Sequence, residues 1–243
     1  MVKKRADILL VEKGLFDSRA KARAAIEAGG VTAGGKVVVK ASESLDEDAE
    51  IIAEAAHPWV GRGALKLVRA LELWPVRVEG RVAIDVGAST GGFTEVLLSK
   101  GAVRVLAVDV GRDQLHPSLK ADERVVDLSP LDARALTSEH APDGVELVVT
   151  DVSFIALEKA LPAALALARA GADLVALVKP QFEAGRENVG KGGLVKDPEV
   201  IAACVERVSA FLEGEGWRVR EHAYSPIAGG EGQLEKLLWA VKA

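Results

Sequence analysis

Asp85-Val-Gly87-Ala-Ser89-Thr-Gly91-Gly92-Phe93 is the stretch on which the fold turns. It overlaps the end of an apolar run, Val82 to Val86, that reads as a buried strand, and it opens onto a helical pattern from Phe93 to Lys100. Glycines between a strand and a helix let the backbone turn sharply and approach a ligand closely, so the stretch predicts a nucleotide-like cofactor. No Lys-Ser/Thr pair follows the glycines, which argues against a phosphate-cradling P-loop. The next strand ends in Val108-Asp109-Val110, an acid placed to accept hydrogen bonds from ribose hydroxyls; a helix cap is the other reading of Asp109.

Downstream, β-rich runs at Val103 to Val108, Leu147 to Thr150 and Leu174 to Leu177 alternate with helical patterns at Leu157 to Arg169 and Val200 to Leu212. That alternation predicts a Rossmann-like α/β fold, a parallel sheet covered on both faces, with ligands at the carboxyl ends of the strands. Asp151 follows Val148-Val-Thr150, and Lys179 follows Leu177-Val178, each at a strand end. Lys66 and Glu235 bracket the same region, so four ionisable side chains can converge on one rim; Glu231 lies close enough in sequence to compete with Glu235. Between Gln181 and Lys196, Gly and charge dominate, which reads either as a mobile loop beside the site or as an ordinary surface loop. His57, His116, His140 and His222 share no metal-ligand spacing, and no metal is expected.

Upstream, the chain changes character. Its formal net charge is -5, yet residues 1 to 40 hold nine Lys or Arg against four Asp or Glu, and residues 41 to 60 hold six acids with no Lys or Arg. A basic head of this kind gathers phosphate, or is simply a solvated face. Helical spacing runs from Ala6 to Val11 and from Arg19 to Ala28, with Asp17 and Ser18 placed to cap the second helix and Gly29-Gly30 to stop it. Val31 to Ala33, the turn Gly34-Gly35 and Lys36 to Val39 follow as a hairpin, and Glu50 to Ala53 can add a strand. Pro58-Trp-Val-Gly61-Arg62-Gly63 punctuates the chain, so the expected organisation is a small α+β domain over 1–57, a linker over 58–63 and a large domain over 64–243. The single cysteine, Cys204, suits a reducing compartment, and no apolar run approaches the roughly 18 residues of a membrane helix. Met1-Val-Lys-Lys-Arg5 leads into no long apolar stretch, so no secretion signal is expected and the cytoplasm is the expected location.

The run from Arg5 to Lys21, followed by Ile26, Gly29-Gly-Val31, Gly34 and Lys36, resembles the ribosomal-protein-S-four-like RNA-binding domain. The resemblance implies phosphate contacts from Arg5, Ser18, Arg19, Lys21, Arg23 and Lys36; the usual Asn before the hairpin glycine is Gly34 here, which weakens one turn contact. The glycine turn together with Lys66, Asp151, Lys179 and Glu235 resembles the ribose 2′-O-methyltransferases of the FtsJ class and their Lys-Asp-Lys-Glu tetrad. With the basic head and Gly61-Arg62-Gly63-Ala-Leu-Lys66, nearly the whole chain is similar to the TlyA family, known both as hemolysin A and as rRNA (cytidine-2′-O)-methyltransferase.

The resemblance implies S-adenosyl-L-methionine (AdoMet) as cofactor, contacted through Asp85, Gly87, Ser89, Gly91 and Asp109, with Asp132 at the adenine amino group. It implies ribosomal RNA or ribosomal subunits as partner, with Arg62 joining the RNA contacts, and Lys179 acting on the 2′-oxygen while Asp151 and Glu235 orient the lysines. Two other classes stand beside this expectation: a non-catalytic RNA-binding assembly factor, and a membrane-lysing protein, for which no strong amphipathic segment is present.

Overall fold

A computed structural model describes residues 3–229 and 232–243, so Glu231 lies outside the described residues. The chain forms two compact units, Met1–Pro58 and Trp59–Ala243.

In the first unit, β1 (Lys3–Arg5) leads into α1 (Ala6–Glu12) and α2 (Arg19–Glu27), then β2 (Val31–Ala33), β3 (Lys36–Val37), β4 (Ser44–Asp46) and β5 (Ile51–Ala53). Ser18 caps α2 by accepting the Lys21 amide, and Gly29, at φ +75°, lets the chain turn back after the helix. Sheet order is β3-β2-β5, with β1 pairing β4 separately. The expected hairpin forms, but its second strand stops at Val37 because Val38 turns inward to join the core of Leu9, Leu10, Phe16, Ile26 and Leu45.

The second unit opens with α3 (Ala64–Leu73) and builds a seven-stranded sheet in the order β11-β12-β10-β9-β6-β7-β8. Its parallel strands are β6 (Val82–Val86), β7 (Arg104–Val108), β8 (Val125–Asp127), β9 (Val145–Thr150) and β10 (Ala168–Val178). Along β6, β7 and β9, alternate residues join opposite cores, Ile84, Leu106 and Val148 on one face against Ala83, Val105 and Leu147 on the other. This two-faced burial produces the continuous apolar runs seen in the sequence.

Helices connect these strands: α4 (Gly92–Ser99), α5 (Pro117–Lys120), α6 (Leu157–Ala160), α7 (Pro162–Leu167), α8 (Pro180–Glu183) and α9 (Pro198–Gly214). The helix expected over Leu157 to Arg169 breaks at Leu161, ahead of Pro162, which lacks an amide hydrogen to continue it, and the chain is already in β10 at Ala168. Asp197 and Pro198 start α9 in the manner of a capped helix, its carboxyl accepting the Glu199 amide.

The sheet is not wholly parallel, as the alternating pattern had suggested. After α9 the chain returns as β11 (Trp217–Tyr224) and β12 (Lys236–Lys242), both antiparallel to their neighbours, with β12 inserted beside β10. That reversal matters for the site, because β12 begins where β10 ends, with Lys236 opposite Val178.

Candidate active site

The glycine turn is held from behind. Gly87 and Ala88 donate to the Val108 carbonyl at 2.8 and 3.0 Å, and the Asp109 carboxyl accepts the amides of Ser89 (2.8 Å) and Gly111 (2.7 Å). Asp109 therefore ties the loop after β7 to the loop after β6. Gly87 sits at φ +87°, and a Cβ there would press on Val152; Gly91, at φ +95°, starts α4 against Leu115 and Leu119. Ser89 is itself at φ +48° and offers its hydroxyl to Gln114 at 3.1 Å.

Asp85 lies behind this turn rather than on its open side. Fully buried, it accepts the Thr94 hydroxyl on one oxygen at 2.7 Å, while the other oxygen finds no partner among the described residues. Burial pushes its carboxyl up to about 7, against the pull of Thr94. Asp132 caps a single 3-10 turn and grips Arg134 at 2.6 Å, an arrangement that holds it down to about 2. It is not among the residues lining the cleft described next.

A cleft of about 240 Å³ opens at the carboxyl ends of β6, β9 and β10, lined among others by Arg62, Gly63, Gly87, Ser89, Asp151 and Lys179. Asp151 and Lys179 line it, and beyond them Lys66 and Glu235 complete a cluster of four ionisable side chains. Lys179, one residue past β10, pairs with Asp151 Oδ1 at 2.7 Å and donates to the Asp151 carbonyl (3.1 Å) and the Ser153 hydroxyl (2.8 Å). Lys66, on the first turn of α3, reaches Asp151 Oδ2 at 3.1 Å and pairs with Glu235 Oε2 at 2.7 Å. The row therefore reads Lys179, Asp151, Lys66, Glu235, alternating in charge. Both lysine side chains are 8% exposed and Glu235 only 1%, whereas Asp151 at 17% faces the opening. Parallel pairing sets Asp151 beside Lys179, and the antiparallel entry of β12 brings Glu235 level with them.

The head unit shows a second carboxylate with two cations. Asp7, buried at the start of α1, accepts Arg5 Nε (3.0 Å) and Arg19 Nη2 (2.6 Å). Hydrogen bonds from Arg5, with Arg19 adding to them, hold its carboxyl down to about 2. Lys21 pairs with Asp17 at 2.9 Å, and Arg23 and Lys36 are exposed. Ser18 is spent on capping α2.

Two neighbours of the cluster carry no signal in the sequence. Ser153 has no mark beyond its place two residues after Asp151. Phe154 stands 90% exposed at φ +68°, its ring 5.1 Å from that of Phe182, an aromatic pair on segments adjoining Asp151 and Lys179. An exposed large apolar side chain in a strained backbone conformation suits stacking on a planar ligand. Between Glu183 and Lys196 the loop is anchored at both ends rather than free, by Glu183 on Arg207 and by Gln233 on Val195. Among the described residues no helix is long and apolar enough to cross a membrane, and no group of three or more His, Cys, Asp or Glu could hold a metal ion.

Residues 59–242 match the FtsJ-like methyltransferase family and residues 4–51 match the S4 domain. The chain is 45% identical over 237 residues to the 16S/23S rRNA (cytidine-2'-O)-methyltransferase TlyA of Mycobacterium tuberculosis, covering 97% of this chain and 88% of that protein. It is 36% identical to hemolysin A of Brachyspira hyodysenteriae, over 96% of this chain and 98% of that one. A solved structure described as a hemolysin, from Streptococcus thermophilus, superposes with a TM-score of 0.79 at 39% identity, covering 100% of this chain and 90% of its own.

Proposed function

Because the chain belongs to the TlyA family, an FtsJ-like methyltransferase domain behind an S4 domain, we propose that it methylates the ribose 2′-oxygen of a cytidine in ribosomal RNA, using AdoMet. The observation that carries the reading is the row Lys179-Asp151-Lys66-Glu235, which runs from the wall of the glycine-lined cleft into buried surroundings. Lys-Asp pairing at the end of adjacent parallel strands, next to a cofactor turn, aims an amine at whatever enters the cleft.

The residues present fit the cofactor. Gly63 and Gly87 leave bare backbone on the wall of the cleft, and Asp109 holds the turn in shape by accepting the Ser89 and Gly111 amides, next to where ribose hydroxyls would sit. Ser89 and Gly91 shape the same turn, and Asp85 supports it from behind through Thr94. AdoMet supplies an activated methyl on a sulfonium that departs as a neutral thioether, so no metal is required.

In this reading Lys179 holds the attacking 2′-oxygen, either receiving its proton or stabilising the developing alkoxide as an ammonium, a role supported by its position beside Asp151 on the cleft wall. Asp151 holds Lys179 through Oδ1 and Lys66 through Oδ2, and Glu235 fixes Lys66 from the far side. Phe154 offers the target base a stacking surface once that base leaves its helix. Arg62 on the cleft wall and the arginines of the head supply phosphate contacts.

The test is transfer of labelled methyl from AdoMet into separated ribosomal subunits lacking the modification, comparing the parent chain with Lys179→Ala. Label in the parent that is lost in the variant supports the reading. An unlabelled product from a parent that binds AdoMet would favour the RNA-binding assembly factor instead.

A further inference from the structure

The loop that leaves the cluster at Lys179 is fastened back to it through one side chain. Its near end is α8, where the buried Glu183 carboxyl accepts the Leu157 amide at 2.8 Å and pairs with Arg207 at 2.9 Å. At its far end, Gln233 is 2% exposed and so is Val195. The Gln233 side-chain oxygen Oε1 accepts the Val195 amide at 2.8 Å, and the side-chain nitrogen Nε2 donates to the Val195 carbonyl at 3.0 Å. An amide pairing with both main-chain groups of one residue imitates a rung of β-ladder, and being buried, neither half is replaced cheaply by water. The same nitrogen donates to the Leu234 carbonyl at 3.0 Å, which fixes the side chain against its own backbone.

Gln233 also lies two residues before Glu235, on the segment that leads into β12. Its main-chain carbonyl accepts the Gly229 amide at 2.9 Å, and the Glu235 carbonyl accepts the Ser225 amide at 3.0 Å. The Glu235 carboxyl rests directly on Gly229, where any Cβ would overlap it. These main-chain bonds hold the backbone at Gln233 and at Glu235, whose carboxyl pairs with Lys66 at 2.7 Å.

We propose that Gln233 is a positioning residue: it clasps the far end of the 184–196 loop to the 233–235 segment that presents Glu235, so that the loop and the Glu235–Lys66 pair hold one another in place. The inference rests on the methyltransferase reading of the cluster. With the clasp open, the 233–235 segment relaxes, Glu235 withdraws from Lys66, and Lys66 turns wholly to Asp151, in competition with Lys179. Neither Gln233 nor Val195 is among the residues lining the cleft, so the effect falls on turnover and not on cofactor binding.

The experiment uses the full chain with unmodified ribosomal subunits and AdoMet. It measures kcat and both KM values for Gln233→Leu and Gln233→Asn, together with hydrogen exchange at the Val195 amide. Gln233→Leu is expected to lower kcat about 10- to 100-fold, the scale of a misplaced catalytic group, with KM for AdoMet within about twofold. Exchange at Val195 should accelerate, and Gln233→Asn, which keeps an amide, should recover part of kcat. Should the leucine variant fail to fold, Gln233→Glu, which keeps the acceptor for the Val195 amide, takes its place with a smaller expected loss. Folded variants with faster exchange at Val195 and kcat within about twofold of the parent would overturn the inference, leaving Gln233 a purely structural residue. Unchanged exchange would overturn it too, by showing that the clasp does not hold Val195. A parent chain inactive on every RNA would instead sink the methyltransferase reading, and the exchange measurement would still decide whether the clasp exists.

Discussion

Both units of this protein fix two cations on one carboxylate, and they do it to opposite ends. In the head, Asp7 is buried while the side chains of Arg5 and Arg19 are 44% and 58% exposed. In the larger unit Asp151 holds Lys66 and Lys179, each 8% exposed. A guanidinium has donors to spare after satisfying a carboxylate, so the head presents outward-facing N–H groups that suit phosphate. An ammonium among buried neighbours has lost most of its water, and its interactions are stronger for it. The same pairing leaves exposed cations where water remains and buried ones where it is largely excluded, a difference that fits the proposed division between RNA recognition and chemistry.

The sharpest way to break this comparison is Lys179→Ala. If the buried pair does the chemistry, methyl transfer falls about 1000-fold or more, with AdoMet affinity in equilibrium binding changed only a few-fold; a loss under tenfold would put the reactive group elsewhere. Glu235→Gln is next. It removes one charge from the row but leaves Lys66 on Asp151, and about 10- to 100-fold lower kcat is expected in the same assay.

Effects at the head should be smaller and should read out in salt. Arg19→Ala is expected to lower the slope of log affinity for ribosomal RNA against log salt by about 1, uniformly across sequences. Asp7→Asn should cost the head about 1–2 kcal/mol in denaturant unfolding, a modest figure because both arginines can return to water. Since Asp7 is depressed from 3.8 to about 2, its stabilising share is present above the ordinary value and is lost as pH falls through about 2. The Asn variant should show none of that acid-side loss.

Asp85 sharpens the comparison from the other side, being a buried carboxyl with a hydroxyl partner and no cation. Its pKa is raised from 3.8 to about 7, so across that window the unfolded chain gives up the proton while the folded chain keeps it, and stability falls as pH rises. Asp85→Asn is therefore expected to melt a few degrees above the parent at pH 8, with the gap closing toward pH 4. Equal melting temperatures at both pH values would mean that the carboxyl is better solvated than its burial implies.

Much of the larger unit is legible in the sequence, because it is written in local pattern. The strand at Val82–Val86, the glycine turn and the start of α4 all follow from two-faced burial and from backbone conformations that favour glycine. Strand-end positions alone suffice to mark Asp151 and Lys179, since parallel neighbours bring their carboxyl ends to one rim. Harder to read are the break at Leu161, where one proline outweighs a long helical pattern, and the C-terminal strands, whose mixed charges blur the alternation. Ser153, Phe154 and Gln233 give no signal of their own, each being an ordinary residue whose meaning depends on what it touches.

From the sequence alone came the α/β alternation, the basic head, the glycine turn and the identity of the four ionisable residues as candidates. Tertiary structure alone decided their order in the row, the antiparallel entry of β12 that carries Glu235 to Lys66, the withdrawal of Asp85 behind its turn, and the clasp from Gln233 to Val195. The division has a physical cause. Backbone periodicity and turn chemistry act over a few neighbouring residues, whereas charge pairing between residues as far apart as 66 and 235 exists only once the sheet has closed and removed the water between them.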